Sequence, residues 1–253
     1  MNLLLLSNST QHGRGYLEHA MDTVTGFLPA GGRLVFVPYA LADHDAYTAK
    51  VRGALAGAGI EVRGVHEGGD PLARLGEADA VFVGGGNSFR LLSALYRTGL
   101  REALIKAVGA GLPYMGASAG TNMAAPSLRT TNDMPIVEPP SFEALGLVPF
   151  QINPHYLDPD PASTHKGETR EERLTEFLEE NDVPVLGLRE GSWLRVDGGR
   201  ATLGGARDAR LFRRSTAARE IAVGADLSEL LDTTPAFDSR AWTGAPRTSR
   251  RTS

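Results

Sequence analysis

The chain has 253 residues, no cysteine, and 26 Lys and Arg against 30 Asp and Glu, for a net charge of -4. The lack of cysteine excludes a disulfide framework, a thiolate metal site and a cysteine nucleophile. The charge balance leaves no electrostatic footprint for nucleic acid. At this length a folded chain buries most of its surface without covalent staples. Nothing inside reads as a linker, so residues 1–242 are expected to form one domain.

The opening MNLLLLSNST carries an apolar run at 3–6. It is too short to cross a bilayer and lacks the basic flank of a signal peptide, so it reads as a buried first strand, with the cytoplasm as the expected compartment. A helical pattern follows over 16–28, with Leu17, Ala20, Met21, Val24 and Leu28 on one face. Residues 34–37, 62–65 and 80–83 are short apolar or β-branched runs, and the spacing predicts a helix over 49–58. A second helical pattern spans 91–108, broken near Gly99, and further apolar runs stand at 114–117 and 185–188. Short runs bounded by turn residues suit buried parallel strands. Their alternation with helices predicts an α/β fold with a mainly parallel sheet sandwiched by helices. Residues 192–196 and 201–203 flank Asp197-Gly198-Gly199-Arg200, which predicts a C-terminal β-hairpin, and 210–214 reads as a further strand. The basic segment 243–253 has no apolar period and is expected to be a disordered tail.

The strongest chemical signal is Gly116-Ala117-Ser118-Ala119-Gly120, an apolar strand running through Gly-x-Ser-x-Gly into the helix-compatible stretch 121–125. Such a junction strains the serine backbone, and small neighbours permit the sharp approach of strand and helix. Ser118 is thereby a candidate nucleophile at the carboxyl end of the sheet, with free amides of a helix N-terminus beside it.

A serine hydroxyl needs a base, and the base needs an orienting group. His12, His19, His44 and His66 read as solvated or helix-surface histidines. His155, in Gln151-Ile152-Asn153-Pro154-His155, closes the apolar segment 147–152, and His165 lies ten residues on in a polar loop. Spacing alone does not choose between these two. For the carboxylate there are also two candidates. Glu190 follows the run at 185–188, and Asp133 lies in the polar loop Thr130-Thr131-Asn132-Asp133.

Gly84-Gly85-Gly86-Asn87-Ser88 joins a strand to a helix but matches no phosphate-binding pattern. It fits better a loop whose backbone N–H completes an oxyanion hole beside Ser118. In Thr169-Arg170-Glu171-Glu172-Arg173, Thr169 reads as a helix cap with acids in the first turn, which leaves Arg170 free to grip a carboxylate as a bidentate fork.

The segments GGGNSF, GASAGTNMAAP, RTTNDMPIV, FQINPHY, HKGETREER and EGSWL occur in this order. With LLLLSNST at the start and ATLGG near Ala201, they resemble the dipeptidase E (α-aspartyl dipeptidase) family of serine peptidases, which also includes cyanophycinase. The resemblance runs from Met1 to about Gly224. It implies an α/β sandwich related to class I glutamine amidotransferases and hydrolysis of dipeptides beginning with aspartate. It implies Ser118, His155 and Glu190 as the triad, and an acyl-enzyme intermediate. Gly86 and Ala119 match the oxyanion-hole amides, and Arg170 matches the residue that holds the aspartyl carboxylate, with Asn87 beside the same pocket. Asp133 matches an acid expected to meet the substrate's α-amino group or to shape the pocket. No metal or cofactor is implied. The expected partners are small peptides with N-terminal aspartate, without nucleic acid or membrane, for a monomer or homodimer. Two departures stand out, Ala117 where many relatives carry tryptophan and the proline-bearing loop 157–164. Both are expected to reshape the pocket.

Overall fold

The computed structural model describes residues 1–159, 162, 164 and 167–239. His165 and the segment 243–253, expected to be disordered, lie outside the described residues. In chain order the first half comprises β1 (Asn2–Leu6), α1 (Met21–Phe27), β2 (Arg33–Val37), α2 (His44–Leu55), β3 (Glu61–Gly64), α3 (Pro71–Gly76), β4 (Ala80–Val83), α4 (Ser88–Thr98), α5 (Leu100–Gly109), β5 (Tyr114–Ala117) and α6 (Ala119–Met123). The second half adds β6 (Gln151–Pro154), α7 (Arg170–Glu180), β7 (Val185–Leu188), β8 (Ser192–Asp197), β9 (Arg200–Gly205), β10 (Ala209–Phe212) and β11 (Arg219–Ile221).

These strands form two sheets rather than one. The first has the order β3-β2-β4-β5-β1-β8-β9, and its first five strands run parallel. The predicted hairpin is present, and it extends this sheet antiparallel to β1. The second sheet has the order β11-β10-β7-β6, with β6 and β7 parallel. The α/β class is therefore as predicted, but the run at 185–188 belongs to the second sheet. Apolar runs report burial and not the sheet in which a strand is buried.

The continuous apolar runs follow from burial on both faces of the first sheet. Alternate residues of β1 enter different cores. Leu3 and Leu5 join one that includes α4, α5 and residues of both sheets, while Leu4 and Leu6 pack with α1 and α2. On the outer face of the second sheet, Leu174 and Leu178 of α7 pack on Tyr156, Val185 and Phe212. Between the sheets, α6 touches β5 on one side and β6 on the other.

Several boundaries differ from expectation for local reasons. The pattern over 16–28 becomes a 3-10 turn at Glu18–Ala20 followed by α1, because Leu17 has φ 62 and interrupts a continuous helix. Helix α2 starts earlier than predicted, where the Asp43 side chain caps the Ala46 amide. The break at Gly99 is as predicted, with φ 72. Residues 147–150 are irregular, and the strand before His155 is confined to 151–154. Among the described residues no helix is long and apolar enough to cross a membrane.

Arg189, just after β7, ties the second sheet to the loop at 158. Its guanidinium donates to both oxygens of Asp158 at 2.6 and 2.7 Å and to both oxygens of Glu220 at 2.9 Å. Hydrogen bonds from Arg189 hold both carboxyls below their usual range. A carboxyl depressed in the folded state adds stability above its unfolded pKa, and that stability is lost as pH falls through the folded value. Wild-type protein should therefore lose denaturant resistance below about pH 4, the usual carboxylate range. Arg189→Ala should lower stability at neutral pH by about 2 kcal/mol, both partners being half exposed. It should also flatten the acid limb of an unfolding curve measured against pH. An unchanged limb would remove this cluster from the account.

Candidate active site

Three strands of the first sheet end at one place. The carboxyl ends of β1, β4 and β5 deliver Ser7, Gly84 and Ser118 respectively, and Leu6 pairs with Ala117 in register. Open α/β sheets bind ligands at this edge. The parallel pair of the second sheet ends here too, with Pro154 level with Leu188, so that His155 and Glu190 follow the ends of β6 and β7.

Ser118 has φ 52 and ψ -112, a conformation that L residues avoid, at the junction of β5 and α6. Its N–H donates to the Leu6 carbonyl at 3.1 Å. A Cβ on Gly116 would come within 2.6 Å of the Gly120 carbonyl oxygen, so the turn closes only with glycine there. The Ser118 hydroxyl lies 2.9 Å from His155 Nε2, and His155 Nδ1 lies 2.7 Å from Glu190 Oε1. An ionised Glu190 offers only acceptors, so the protonated nitrogen is Nδ1, and Nε2 is left to accept from Ser118. The structure thus brings together Ser118, His155 and Glu190. Asp133, the other carboxylate candidate, makes no hydrogen bond to His155.

Two segments next to the serine carry amides without a backbone acceptor among the described residues. Ala119 is the first residue of α6, where N–H groups lack an intrahelical acceptor. In the glycine loop, Gly85 N–H donates to the Tyr47 hydroxyl at 2.9 Å and Asn87 N–H to the Ala40 carbonyl at 3.0 Å. Gly86 N–H between them has no acceptor among the described residues. A Cβ on Gly85 would sit 3.0 Å from Ser118 Cβ, and Gly86 has φ 134, so the loop's closeness to the serine demands glycine.

A cleft of about 370 Å³ opens beside the serine, lined among others by Ser88, Asp133, His155, Leu157 and Arg170. A larger groove of about 730 Å³, between α7 and the turn at 213–218, contains none of the three catalytic candidates. Arg170 is the first residue of α7, after a capping box in which the Thr169 side chain and Glu172 bond each other's amides. A cation at a helix N-terminus opposes the helix dipole. Burial, then repulsion from Arg173, lowers the Arg170 pKa, and Asp133 partly offsets them. Its guanidinium bonds no described residue. Asp133 Oδ2 accepts from the N–H and hydroxyl of Ser88 at 2.7 and 2.6 Å, seating a carboxylate on the N-terminus of α4.

Two expectations change. Asn87 is occupied structurally, because Oδ1 caps the Arg90 amide at 3.0 Å and Nδ2 donates to the Met134 carbonyl at 2.8 Å. It does not line the cleft. Ala117 packs into the core with α1 and α2, so its small size does not widen the cleft, whereas Leu157 of the altered loop does line it. Sequence reasoning missed Ser7, Asn8 and Tyr47, which bond the backbone of His155, Gly191 and Gly85. The only signal for the first two is a polar run directly after an apolar strand.

The strain at Ser118 has a measurable consequence. Ser118→Gly should raise the melting temperature relative to Ser118→Ala, because glycine relieves a backbone strain of about 1–3 kcal/mol that alanine retains. Equal melting temperatures would mean that the turn stores no strain.

Residues 3–204 match the family model described as peptidase family S51. The chain is 89% identical over 239 residues to "Peptidase E" of Streptomyces coelicolor, covering 94% of this chain and 98% of that protein. It is 54% identical over 233 residues to the "Probable alpha-aspartyl dipeptidase" of Drosophila melanogaster, covering 91% and 97%. Among solved structures, a peptidase from an acI-B1 Actinobacterium matches with TM-score 0.66 at 14% identity, covering 89% of this chain and 96% of that one. A putative peptidase E from Listeria monocytogenes matches with TM-score 0.63 at 24% identity, covering 81% and 98%. These two likenesses concern the fold alone. The relatives share the chain over nearly their whole length, and with the family match they establish that the chain belongs to peptidase family S51 and is a serine-type peptidase.

Proposed function

We propose that this peptidase removes N-terminal aspartate from dipeptides, through a Ser118–His155–Glu190 triad and an acyl-enzyme intermediate. The observation that carries the mechanism is the hydrogen-bonded line from Ser118 Oγ through the imidazole to Glu190 Oε1, at 2.9 and 2.7 Å. Ser118 Oγ attacks the scissile carbonyl carbon while its proton passes to His155 Nε2. The tetrahedral oxyanion is held by the amides of Gly86 and Ala119, and Glu190 stabilises the imidazolium. The carbon–nitrogen bond breaks as the leaving amine takes the proton from Nε2. Water then gives a proton to Nε2 and attacks the ester, and the aspartate leaves as the proton returns to Ser118 Oγ. Losing one oxyanion amide would slow the chemical step by about 10²–10³-fold.

Specificity is electrostatic. Arg170 is a half-buried guanidinium with no partner among the described residues, and it shares the cleft with Ser118. An aspartyl side chain would accept its two-pronged donation, whereas an asparagine would leave the cation poorly matched. Asp133, which lines the same cleft as Arg170, supplies the negative charge for a free α-ammonium group, which excludes blocked or internal aspartates. The name of the Drosophila relative supports the same substrate class.

Purified protein should cleave Asp-Leu at least about a hundredfold faster in kcat/KM than Asn-Leu, and β-Asp-Leu slowly. Ser118→Ala should abolish turnover without unfolding. Arg170→Ala should bring Asp-Leu and Asn-Leu within about tenfold of each other. An active Ser118→Ala would remove the triad, and a preference that survives in Arg170→Ala would assign selection to another group.

A further inference from the structure

Ser7, Asn8 and Ser9 take no part in the chemical steps above, yet they stand at the end of β1 in the middle of the site. We propose that this polar run is a positioning bracket that sets the base, the acid and the oxyanion loop at once. The inference rests on the roles just given to Ser118, His155, Glu190 and Gly86.

The first arm is Ser7, which is fully buried. Its hydroxyl accepts from the His155 N–H at 2.9 Å and donates to the Leu188 carbonyl at 2.8 Å. One hydroxyl from the first sheet thus joins the ends of both parallel strands of the second. His155 has φ 54, a left-handed conformation that persists in a non-glycine residue only where its surroundings over-determine it. The Ser7 bond is one such constraint, and it acts on the backbone that aims the imidazole.

The second arm is Asn8, 1% exposed. Its Oδ1 accepts from the Gly191 N–H at 2.8 Å, while Nδ2 donates to the Thr10 carbonyl at 3.0 Å. This fixes the peptide directly after Glu190 and so the direction from which the carboxylate reaches His155.

The third arm is indirect. The Ser9 carbonyl accepts from the Leu17 N–H at 2.7 Å, the hydroxyl of the adjacent Tyr16 lies 3.2 Å from the Tyr47 hydroxyl, and Tyr47 accepts from the Gly85 N–H at 2.9 Å. Both rings sit in the apolar core with α1 and α2, where burial raises both phenol pKa values. The chain of hydroxyls therefore acts through neutral hydrogen bonds. With Gly85 N–H drawn to Tyr47, the next amide, that of Gly86, is the one left free beside Ser118. A bracket of this kind sharpens geometry without touching substrate, so Ser7, Asn8 and Tyr47 are positioning residues. Displacements well under 1 Å are enough to slow a reaction of this type.

The test compares Ser7→Ala, Asn8→Ala and Tyr47→Phe with the wild type and with Val108→Ala, a truncation of a fully buried residue of α5 in the other core. Melting temperature, kcat and KM for Asp-Leu, and the rate at which phenylmethanesulfonyl fluoride inactivates Ser118 are measured for each. Each bracket variant should lose about tenfold to a hundredfold in kcat, with KM changed by less than about twofold and sulfonylation slowed in parallel. Val108→Ala should lose stability but keep kcat. Folded bracket variants with kcat within about twofold of wild type would overturn the proposal, as would losses confined to KM. If Ser7→Ala does not fold, Asn8→Ala and Tyr47→Phe decide, since they touch different arms. If wild-type protein leaves Asp-Leu uncut, the substrate assignment fails, and the sulfonylation rates still read the bracket by themselves.

Discussion

The contact between Ser118 Oγ and His155 Nε2, 2.9 Å long, joins side chains that stand on different sheets. That constraint governs the architecture around it. A hydrogen bond of this length tolerates only a few tenths of an ångström, so the two sheets must be held in register to that tolerance. Apolar packing supplies most of the hold, through a core that takes residues from both sheets. It is not directional enough to fix an imidazole. Direction comes from buried polar groups that cross the junction. Asn122 of α6 donates to the Ile152 carbonyl at 3.0 Å, Thr121 to the Leu6 carbonyl at 2.6 Å, and Ser7 to the Leu188 carbonyl at 2.8 Å.

The same junction stores strain. Ser118 and His155 both have positive φ, and both have their N–H groups bonded to the end of β1, one to the Leu6 carbonyl and the other to the Ser7 hydroxyl. One strand end therefore restrains both residues whose side chains meet. Strain of this kind persists where neighbouring bonds over-determine the backbone.

Charge is arranged on a different principle. Around the second sheet, Arg189 is fully matched by Asp158 and Glu220 and serves stability. In the cleft, Arg170 has no partner among the described residues and stands at a helix N-terminus that already carries Arg173, an arrangement that stability alone would not select. Asp133, which lines the same cleft, only partly offsets it, and Ser88 engages just one of its oxygens, Oδ2. A cation that lines a cleft and has no partner among the described residues suits an anionic group.

Much of this was legible in the residues themselves. Burial on both faces makes strands read as unbroken apolar runs, and β1, β2, β4, β5 and β7 stand where such runs predicted. Gly116 and Gly120 announced the turn because only glycine permits that approach. The Thr169–Glu172 capping box was visible because a cap acts over three residues. The choice of His155 over His165, and of Glu190 over Asp133, came from resemblance and not from spacing, since no local rule tells how far two loops lie apart. What only the tertiary structure decided follows from the same limit. The second sheet, the burial of Ala117 away from the cleft and the capping role of Asn87 depend on which segments meet. So does the reach of Ser7 and Asn8 to residues more than a hundred positions away. The sequence by itself determined the local elements, because periodicity, glycine and caps act within a few residues. Tertiary structure decided the site, because a hydrogen bond forms between whichever groups folding brings within about 3 Å.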